Sequence, residues 1–231
     1  MKINKDSIIE GLIIPVFKPF NWTSFDVVKK IKNLLKEKFR FKKIKVGHAG
    51  TLDPLATGLL VICTGKSTKM ISEIQNQKKE YTGELTMGAT TPSYDLETEI
   101  DNRYDISNIS ENDISSKTKL FLGEIFQKPP IFSAIKVKGE RLYEKARRGE
   151  KINIKKRKIT VYNFKLTKIL LPKIHFIIEC SKGTYIRSIA HDFGKSLNSG
   201  AHLSKLVRTK IGEFDLKDAK SIIEFENELN Q

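Results

Sequence analysis

Cysteine and long apolar segments are scarce in this sequence. Its two cysteines, Cys63 and Cys180, are too few for a disulfide framework, and both lie in apolar segments, which is typical of a reducing compartment. No apolar run approaches the roughly 18 residues of a membrane span. The first residues carry charges in place of the apolar core of a secretory signal. We therefore expect a cytoplasmic protein that does not enter a membrane.

Motifs that hold metals or nucleotides are also missing. The sequence contains neither HExxH, CxxC nor GxSxG, and its four histidines are scattered. The segment TGKS at residues 64–67 resembles the end of a P-loop, but Leu60 stands where that motif requires a glycine. We expect no metal, no cofactor and no nucleoside triphosphatase activity, and we interpret residues 64–67 as a turn between a strand and a helix.

Basic residues are abundant. The 231 residues include 42 Lys+Arg and 27 Asp+Glu, which gives a net charge of +15. Nine basic residues and one acid lie between Lys29 and Lys45, and eleven basic residues and three acids lie between Lys136 and Lys158. This surplus favours a polyanionic partner, nucleic acid before membrane, although any single charged run is as often a solvated face. Charge alone does not separate an RNA enzyme from a ribosomal or DNA-coating protein.

Strand and helix patterns alternate irregularly along the chain. Strands are predicted near residues 11–17, 59–63, 81–87, 133–137, 158–170, 174–180 and 207–214, and helices near 24–39, 68–74, 112–121, 142–148, 185–197 and 218–229. Ser24 is expected to cap the first of these helices. Without regular βαβ units, the order favours an α+β fold with a mixed, largely antiparallel sheet. We expect one catalytic domain over residues 1–231, with an inserted loop and helical region at about 90–150.

The segment GHAGTLDPLATG at residues 47–58 is the most informative one. Three glycines in twelve residues indicate unusual backbone angles or the close approach of another molecule. Asp53 precedes a proline, which disfavours helical geometry and leaves one carboxylate on a loop near His48. On the residues alone, a capping aspartate in an Asx-type turn is the more frequent explanation, and a catalytic aspartate is the alternative.

Two further segments contain candidate site residues. At residues 180–190 an apolar strand is followed by a glycine turn and then by a helix that opens with Tyr185 and Arg187. An arginine in a chain rich in lysine indicates that guanidinium geometry matters, for instance in pairing with a carboxylate, although a surface charge is the plain alternative. Tyr81 lies on a strand beside lysines, where it could stack on an unpaired base or simply belong to the core.

Together these segments resemble the TruB family of pseudouridine synthases. The resemblance covers residues 12–214. Its first motifs are Lys18-Pro19 with Thr23-Ser24, residues 47–58, and Tyr81. A further stretch matches at Pro129-Pro130, Ser133-Ala134, Lys136, Gly139, Tyr143-Glu144, Ala146-Arg147 and Gly149. The last motifs are residues 180–189, and Gly200-Ala201-His202 with Leu206 and Arg208. Phe17 and Asn21 depart from the first motif, where family members often have Asp and Gly. Asn tolerates left-handed angles, so the turn can survive there.

The resemblance implies a function and a set of site residues. The reaction would be the isomerisation of uridine 55 in the T arm of tRNA to pseudouridine, after the base is flipped, without cofactor or metal. Asp53 would be the nucleophile, with Arg187 pairing with it and Tyr81 stacking on the uracil. Substrate-binding roles would fall on His48, Tyr185, Leu206, Lys18 and Arg208. We also expect a pseudouridine-synthase-like fold with helices flanking the sheet, a monomer that requires no protein partner, and no C-terminal PUA domain.

Two alternatives remain open. One is a non-catalytic RNA-binding or tRNA-folding module on the same scaffold, and the other is a related synthase that acts on rRNA or with a guide RNA. The presence of Asp53, Tyr81 and Arg187 favours the enzyme, because a pure binding protein has no need for a carboxylate that faces a polyanion.

Overall fold

The computed structural model describes residues 3–133, 135–137, 139–150 and 152–230, with only the backbone described for Lys136 and Val137. The chain forms two compact units. The first comprises Met1–Thr82 and Leu206–Gln231, and the second Gly83–Lys205. The single catalytic domain expected from the sequence stays a prediction.

The described residues contain seven α-helices and thirteen strands. The helices are α1 (Lys5–Glu10), α2 (Ser24–Phe39), α3 (Ile71–Asn76), α4 (Glu111–Lys117), α5 (Leu142–Arg147), α6 (Ile186–Ser196) and α7 (Ile222–Asn230). The strands are β1 (Ile13–Lys18), β2 (Val46–His48), β3 (Thr57–Thr64), β4 (Lys79–Met87), β5 (Ala89–Thr90), β6 (Asn102–Arg103), β7 (Gly123–Gln127), β8 (Lys136–Val137), β9 (Glu140–Arg141), β10 (Arg157–Leu170), β11 (Lys173–Cys180), β12 (Ala201–Ile211) and β13 (Phe214–Asp215). Short 3-10 helices lie at Gly65–Met70, Thr118–Phe121 and Leu216–Asp218.

Strand β3 is the centre of the first unit. It pairs antiparallel with β1 and β2 and parallel with β12, which in turn neighbours β4. Its apolar residues from Leu59 to Cys63 are all buried, because the strand is covered on both faces. On one side, Leu60 and Ile62 belong to a cluster with the apolar face of α2, represented by Ile31 and Leu35.

Helix α2 has the predicted bounds but a different cap. Thr23 accepts a hydrogen bond from the Asp26 amide, and the Asp26 carboxylate accepts one from the Thr23 amide, which forms a capping box. The expectation that Ser24 caps this helix is wrong. Its hydroxyl instead accepts a hydrogen bond from the Leu52 amide and donates one to the Leu52 carbonyl. This pair of bonds fastens the start of α2 to the loop between β2 and β3.

The second unit is built on a long hairpin. Strands β10 and β11 pair antiparallel, as the sequence predicts, and β7 extends the sheet on the other side of β10. Phe164 and Phe176 project from the hairpin and meet Phe121 and Phe193 in a cluster of edge-on and tilted rings. These rings fix the position of α6, which carries Phe193 and, at its start, Arg187.

The α+β class with a mixed, largely antiparallel sheet and flanking helices is confirmed. Several boundaries differ from the sequence prediction. The sequence patterns do not predict α1 and β7, and β12 begins at Ala201, six residues before the predicted start. In the segment 133–137 the strand covers only Lys136–Val137, and Ala134 lies outside the described residues. Among the residues with described positions, no helix has the length and apolarity needed to cross a membrane.

Candidate active site

The loop that carries Asp53 connects β2 to β3 in the first unit. Ala49, Leu52 and Ala56 are buried beneath it, and the Ala56 amide donates to the Asp53 carbonyl over 3.1 Å, closing a tight turn. Asp53 itself is partly exposed. The buried apolar side chains therefore anchor the loop to the core, while Asp53 keeps part of its surface open to solvent.

Lys18 fastens this loop to the turn after β1. Its side chain is 0% exposed, and its ammonium donates to the carbonyls of Pro19, Trp22 and Pro54 at 2.9, 2.6 and 3.3 Å. Burial lowers the pKa of Lys18 to about 8, although the negative charge of Asp53 acts in the opposite direction. Since an ammonium has three N–H donors, these three bonds satisfy it completely.

The backbone of the same turn adds a second connection. The Asn21 amide donates to the Pro54 carbonyl over 3.0 Å. Asn21 has a φ of 62°, which lies in the left-handed region. Asparagine adopts this region more readily than most residues, so it can replace the glycine that family members often have here. The turn after β1 and the Asp53 loop thus form one hydrogen-bonded assembly.

Arg208 holds the other side of the loop. It is 1% exposed, and its guanidinium donates to the carbonyls of Leu59, Thr51 and Gly50 at 2.8, 3.3 and 3.0 Å. The parallel pairing of β12 with β3 sets Arg208 opposite Gly58. A Cβ at Gly58 would lie 2.4 Å from the Arg208 carbonyl oxygen, and the φ of Gly58 is +110°. Only glycine fits this approach of the two strands.

His48 ends β2 immediately before the loop. Burial, followed by the positive charge of Arg208, lowers the pKa of its imidazole. The lower pKa favours the neutral imidazole, whose burial desolvates no charge.

Tyr81, Leu206 and Arg208 share one face of the sheet. The Thr209 hydroxyl donates to the Glu80 carboxylate over 2.8 Å, so Thr209 and Glu80 project from the same face. Strand alternation then places Tyr81 on the opposite face, with Leu206 and Arg208. Because the Arg208 guanidinium reaches the loop, the Asp53 loop lies over this second face. Tyr81 and Leu206 are both buried there.

Arg187 lies in the second unit, in the first turn of α6. It is 3% exposed, and one terminal nitrogen donates to the carbonyls of Phe132 and Ser93 at 2.9 and 3.3 Å. Its Nε lies 3.5 Å from the Asp95 carboxylate, which is also buried. This arrangement offsets the desolvation of both charges and fixes the plane of the guanidinium.

Tyr185 precedes the same helix. Its backbone amide donates to the Gln127 side-chain oxygen at 2.8 Å, and its carbonyl accepts from the Gln127 side-chain nitrogen at 3.0 Å. Gln127 is buried at the end of β7, so this pair of bonds sets the start of α6. The Tyr185 side chain is partly exposed.

Residues 36–186 match a family model described as TruB family pseudouridylate synthase (N terminal domain). The chain belongs to this family.

Relatives and a solved structure agree with this assignment. The chain is 59% identical to the tRNA pseudouridine synthase B of Flavobacterium johnsoniae over 97% of its own length and 98% of that protein. It is 49% identical to the tRNA pseudouridine synthase B of Phocaeicola vulgatus, over 96% of its own length and 94% of that protein. A chain of a Cbf5-Nop10-Gar1 complex matches with a TM-score of 0.71 at 28% identity, over 95% of this chain and 54% of that one. The TruB chain thus spans about half the length of that solved chain.

The substrate-binding roles expected for Lys18 and Arg208 stay predictions, and the structure shows what holds these side chains in place. Lys18 and Arg208, predicted to bind substrate, donate to carbonyls of the protein itself. The predicted pairing of Arg187 with Asp53 stays a prediction, and within the second unit Arg187 is paired with Asp95. In the sequence, Asp95 stands out only as the start of an acidic stretch. No signal in the sequence separates Asp95 from its acidic neighbours Glu97, Glu99 and Asp101.

In the described part of this TruB chain, no group of three or more His, Cys, Asp or Glu side chains is placed to hold a metal ion.

Proposed function

We propose that this protein isomerises uridine to pseudouridine in tRNA, at position 55 of the T arm, with Asp53 as the nucleophile. One observation carries the proposal: Asp53 is the acid of a rigid loop that lies over the sheet face carrying Tyr81 and Leu206. Names of relatives at 49% and 59% identity over nearly the whole chain support tRNA as the substrate.

The reaction exchanges one bond to the sugar for another. The bond between ribose C1′ and uracil N1 breaks, the base turns within the site, and a bond from C1′ to C5 forms. The proton lost from C5 is balanced by one gained at N1, so nothing else enters or leaves. Asp53 acts by attack on C1′, by attack on the uracil ring, or by steering a glycal route.

The surrounding residues suit a flipped base. Extrusion from the stack costs a few kcal/mol, and stacking on Tyr81 returns about 1–3 kcal/mol. In this proposal Leu206, Tyr185 and His48 bind the substrate, and the imidazole of His48 takes the space that the base leaves. Arg187 pairs with Asp53, and its positive charge offsets the repulsion between the Asp53 carboxylate and the phosphates of the RNA.

Lys18 and Arg208 have a positioning role in this proposal. Their bonds to Pro54 and Gly50 hold the loop on both sides of Asp53. A catalytic carboxylate must be held within a fraction of an ångström of its target, which a loop of this length achieves only when it is fastened.

The test is incubation with an unmodified tRNA transcript, followed by site-resolved mapping of pseudouridine. We expect modification at uridine 55 by the native chain and none by Asp53→Asn, with binding of the tRNA kept within a few-fold. Glu37→Gln, which removes an exposed carboxylate of the same unit, is the control and should stay active. Full activity of Asp53→Asn would refute the nucleophile assignment.

The same experiment separates the alternatives. A non-catalytic RNA-binding module would bind the transcript and leave uridine 55 unmodified. A synthase for rRNA would modify an rRNA fragment in preference to the tRNA in a mixture of both. We expect the protein to act in the cytoplasm as a monomer without a protein partner, and sedimentation of the active species tests this.

A further inference from the structure

One face of α2 carries a row of basic side chains. Phe25, Lys29, Lys32 and Lys36 follow one another at intervals of four, three and four residues. These intervals align the four within about 60° around the helix axis, in a row about 16 Å long. Lys29 and Lys36 are exposed and Lys32 is half-exposed. We call Lys29, Lys32 and Lys36 the lysine stripe.

The acids of α2 lie away from this stripe. Asp26 and Glu37 are displaced by about 100° around the helix, and the Asp26 carboxylate is engaged by Thr23. Lys30, which lies on their side, pairs with Glu226 at 3.3 Å. Within the described ranges, the three stripe lysines form no ion pair. Asp26 attracts Lys29 only from a distance, so among the described residues the stripe presents positive charge that no carboxylate neutralises through an ion pair.

The stripe starts at the Asp53 loop. Ser24, the residue before Phe25, is bonded to Leu52 in both directions, and Asn21 is bonded to Pro54. The N-terminal end of α2 is thus fixed to the loop, and the stripe leads away from it along the helix. At the fixed end, the Phe25 side chain is 69% exposed. An aromatic ring so open to water, beside the loop, is available for a flat apolar partner.

We propose that the lysine stripe binds the sugar-phosphate backbone of the RNA substrate, and that Phe25 stacks on an unpaired base next to the one that Asp53 attacks. The inference rests on the proposed function, and it adds the path that the RNA takes from the loop. Lysines in a row neutralise successive phosphates, and exposed aromatics stack on bases of any sequence. No acidic side chain on this row repels the RNA.

The first test is the salt dependence of RNA binding, measured by fluorescence anisotropy with a T-arm hairpin RNA. The stripe variant is K29Q/K32Q/K36Q, and the control is K38Q/K69Q/K217Q, which removes the same charge from exposed lysines of the same unit. Lys38 lies on the same helix but about half a turn away from the stripe. Each phosphate contact contributes about 0.7–0.9 to the slope of log K against log salt.

We expect the stripe variant to lose about 2 in that slope and at least about tenfold in affinity at 0.1 M salt. The control should lose less than about 1 in slope. K29R/K32R/K36R keeps the charge and should keep the slope, which separates a charge effect from misfolding. Equal losses in the stripe and control variants would overturn the proposal, and so would failure of the native chain to bind the hairpin.

The second test concerns the aromatic end. Phe25→Ala should weaken binding of the hairpin at least about fivefold. The control is Phe126→Ala, since Phe126 is 70% exposed on β7 and resembles Phe25 in size and accessibility. Equal effects of the two substitutions would overturn the role of Phe25.

Pseudouridine mapping on the native chain keeps the two proposals apart. No pseudouridine in any RNA refutes the proposed function, whatever the stripe variants do. Pseudouridine at uridine 55 together with indistinguishable stripe and control variants refutes only the stripe. Binding to vesicles of anionic phosphatidylglycerol that the stripe variant loses, with RNA binding intact, would assign the stripe to a membrane surface and overturn the proposal.

Discussion

Gly58 is the position where a single methyl group tests how the Asp53 loop is held. In Gly58→Ala the new Cβ would meet the carbonyl oxygen, amide nitrogen and carbonyl carbon of Arg208 at 2.4, 2.7 and 3.1 Å. All three are backbone atoms, so relief requires β12 to move away from β3. Alanine at a φ of +110° adds backbone strain.

The magnitude follows from these two effects. Backbone strain costs about 1–3 kcal/mol, and overpacking against backbone costs about 1–3 kcal/mol more. Gly183→Ala is the matched control, because Gly183 has a φ of +79° and its added Cβ would meet nothing within 4 Å. Gly183→Ala therefore isolates the strain. We expect Gly58→Ala to lower the free energy of unfolding by about 3–5 kcal/mol, and Gly183→Ala by about 1 kcal/mol.

Urea unfolding followed by circular dichroism measures both values. Any shift of β12 also moves Arg208 and loosens its bonds to Gly50 and Thr51, so pseudouridine formation by Gly58→Ala should fall more than tenfold even where the protein is folded. Equal unfolding free energies for the two glycine variants would refute the steric argument. A stable, fully active Gly58→Ala would show that the loop does not depend on the approach of these strands.

Three further predictions concern single residues. The pKa of Lys18 is about 8 in the folded chain, against 10.5 for a lysine surrounded by water, so the unfolded state binds more protons between these values and stability rises with pH. Relative to that of Lys18→Met, the free energy of unfolding of the native chain should rise by up to about 3 kcal/mol between pH 8 and pH 10.5, as measured by urea titration. Arg187→Lys keeps the positive charge but loses the planar guanidinium that joins Asp95 to backbone carbonyls. Pseudouridine formation should therefore fall more than tenfold in single-turnover assays. An unchanged rate would contradict the role of guanidinium geometry. Thr23→Ala removes the cap of α2 and should cost about 1 kcal/mol in thermal unfolding, whereas an unchanged midpoint would mean that Asp26 alone suffices.

The sequence predicts local elements well because their signals are local. The apolar run from Leu59 to Cys63, the helical spacing of α2 and the hairpin of β10 and β11 can each be inferred from adjacent residues. The segment 47–58 is also recognisable as a loop with one carboxylate. The cap of α2 was predicted wrongly as Ser24, because a serine before a helix is a common cap and the bond of Ser24 to Leu52 joins residues distant in sequence.

The burial of Lys18 and Arg208 could not be predicted in the same way. Lysine and arginine are rarely fully buried, so the pattern alone favours a surface role for Lys18 and Arg208. Their burial depends on carbonyls from segments 36 and about 150 residues away. The pairing of Asp95 with Arg187 also joins distant segments. Such convergence is a property of the folded chain, which no local spacing reveals.

The parallel pairing of β12 with β3 has a consequence for the order in which the chain folds. β1, β2 and β3 are close in sequence, whereas Arg208 reaches Leu59 across 149 residues, and long-range closure is slow. We expect β12 to dock late and to open before the rest of the first unit. In native-state hydrogen exchange, the amides of Leu52 and Ala56 should then exchange together with those of β12. The capacity to present Asp53 would therefore appear only in the last step of folding, and partly folded chains would not expose a formed loop to RNA.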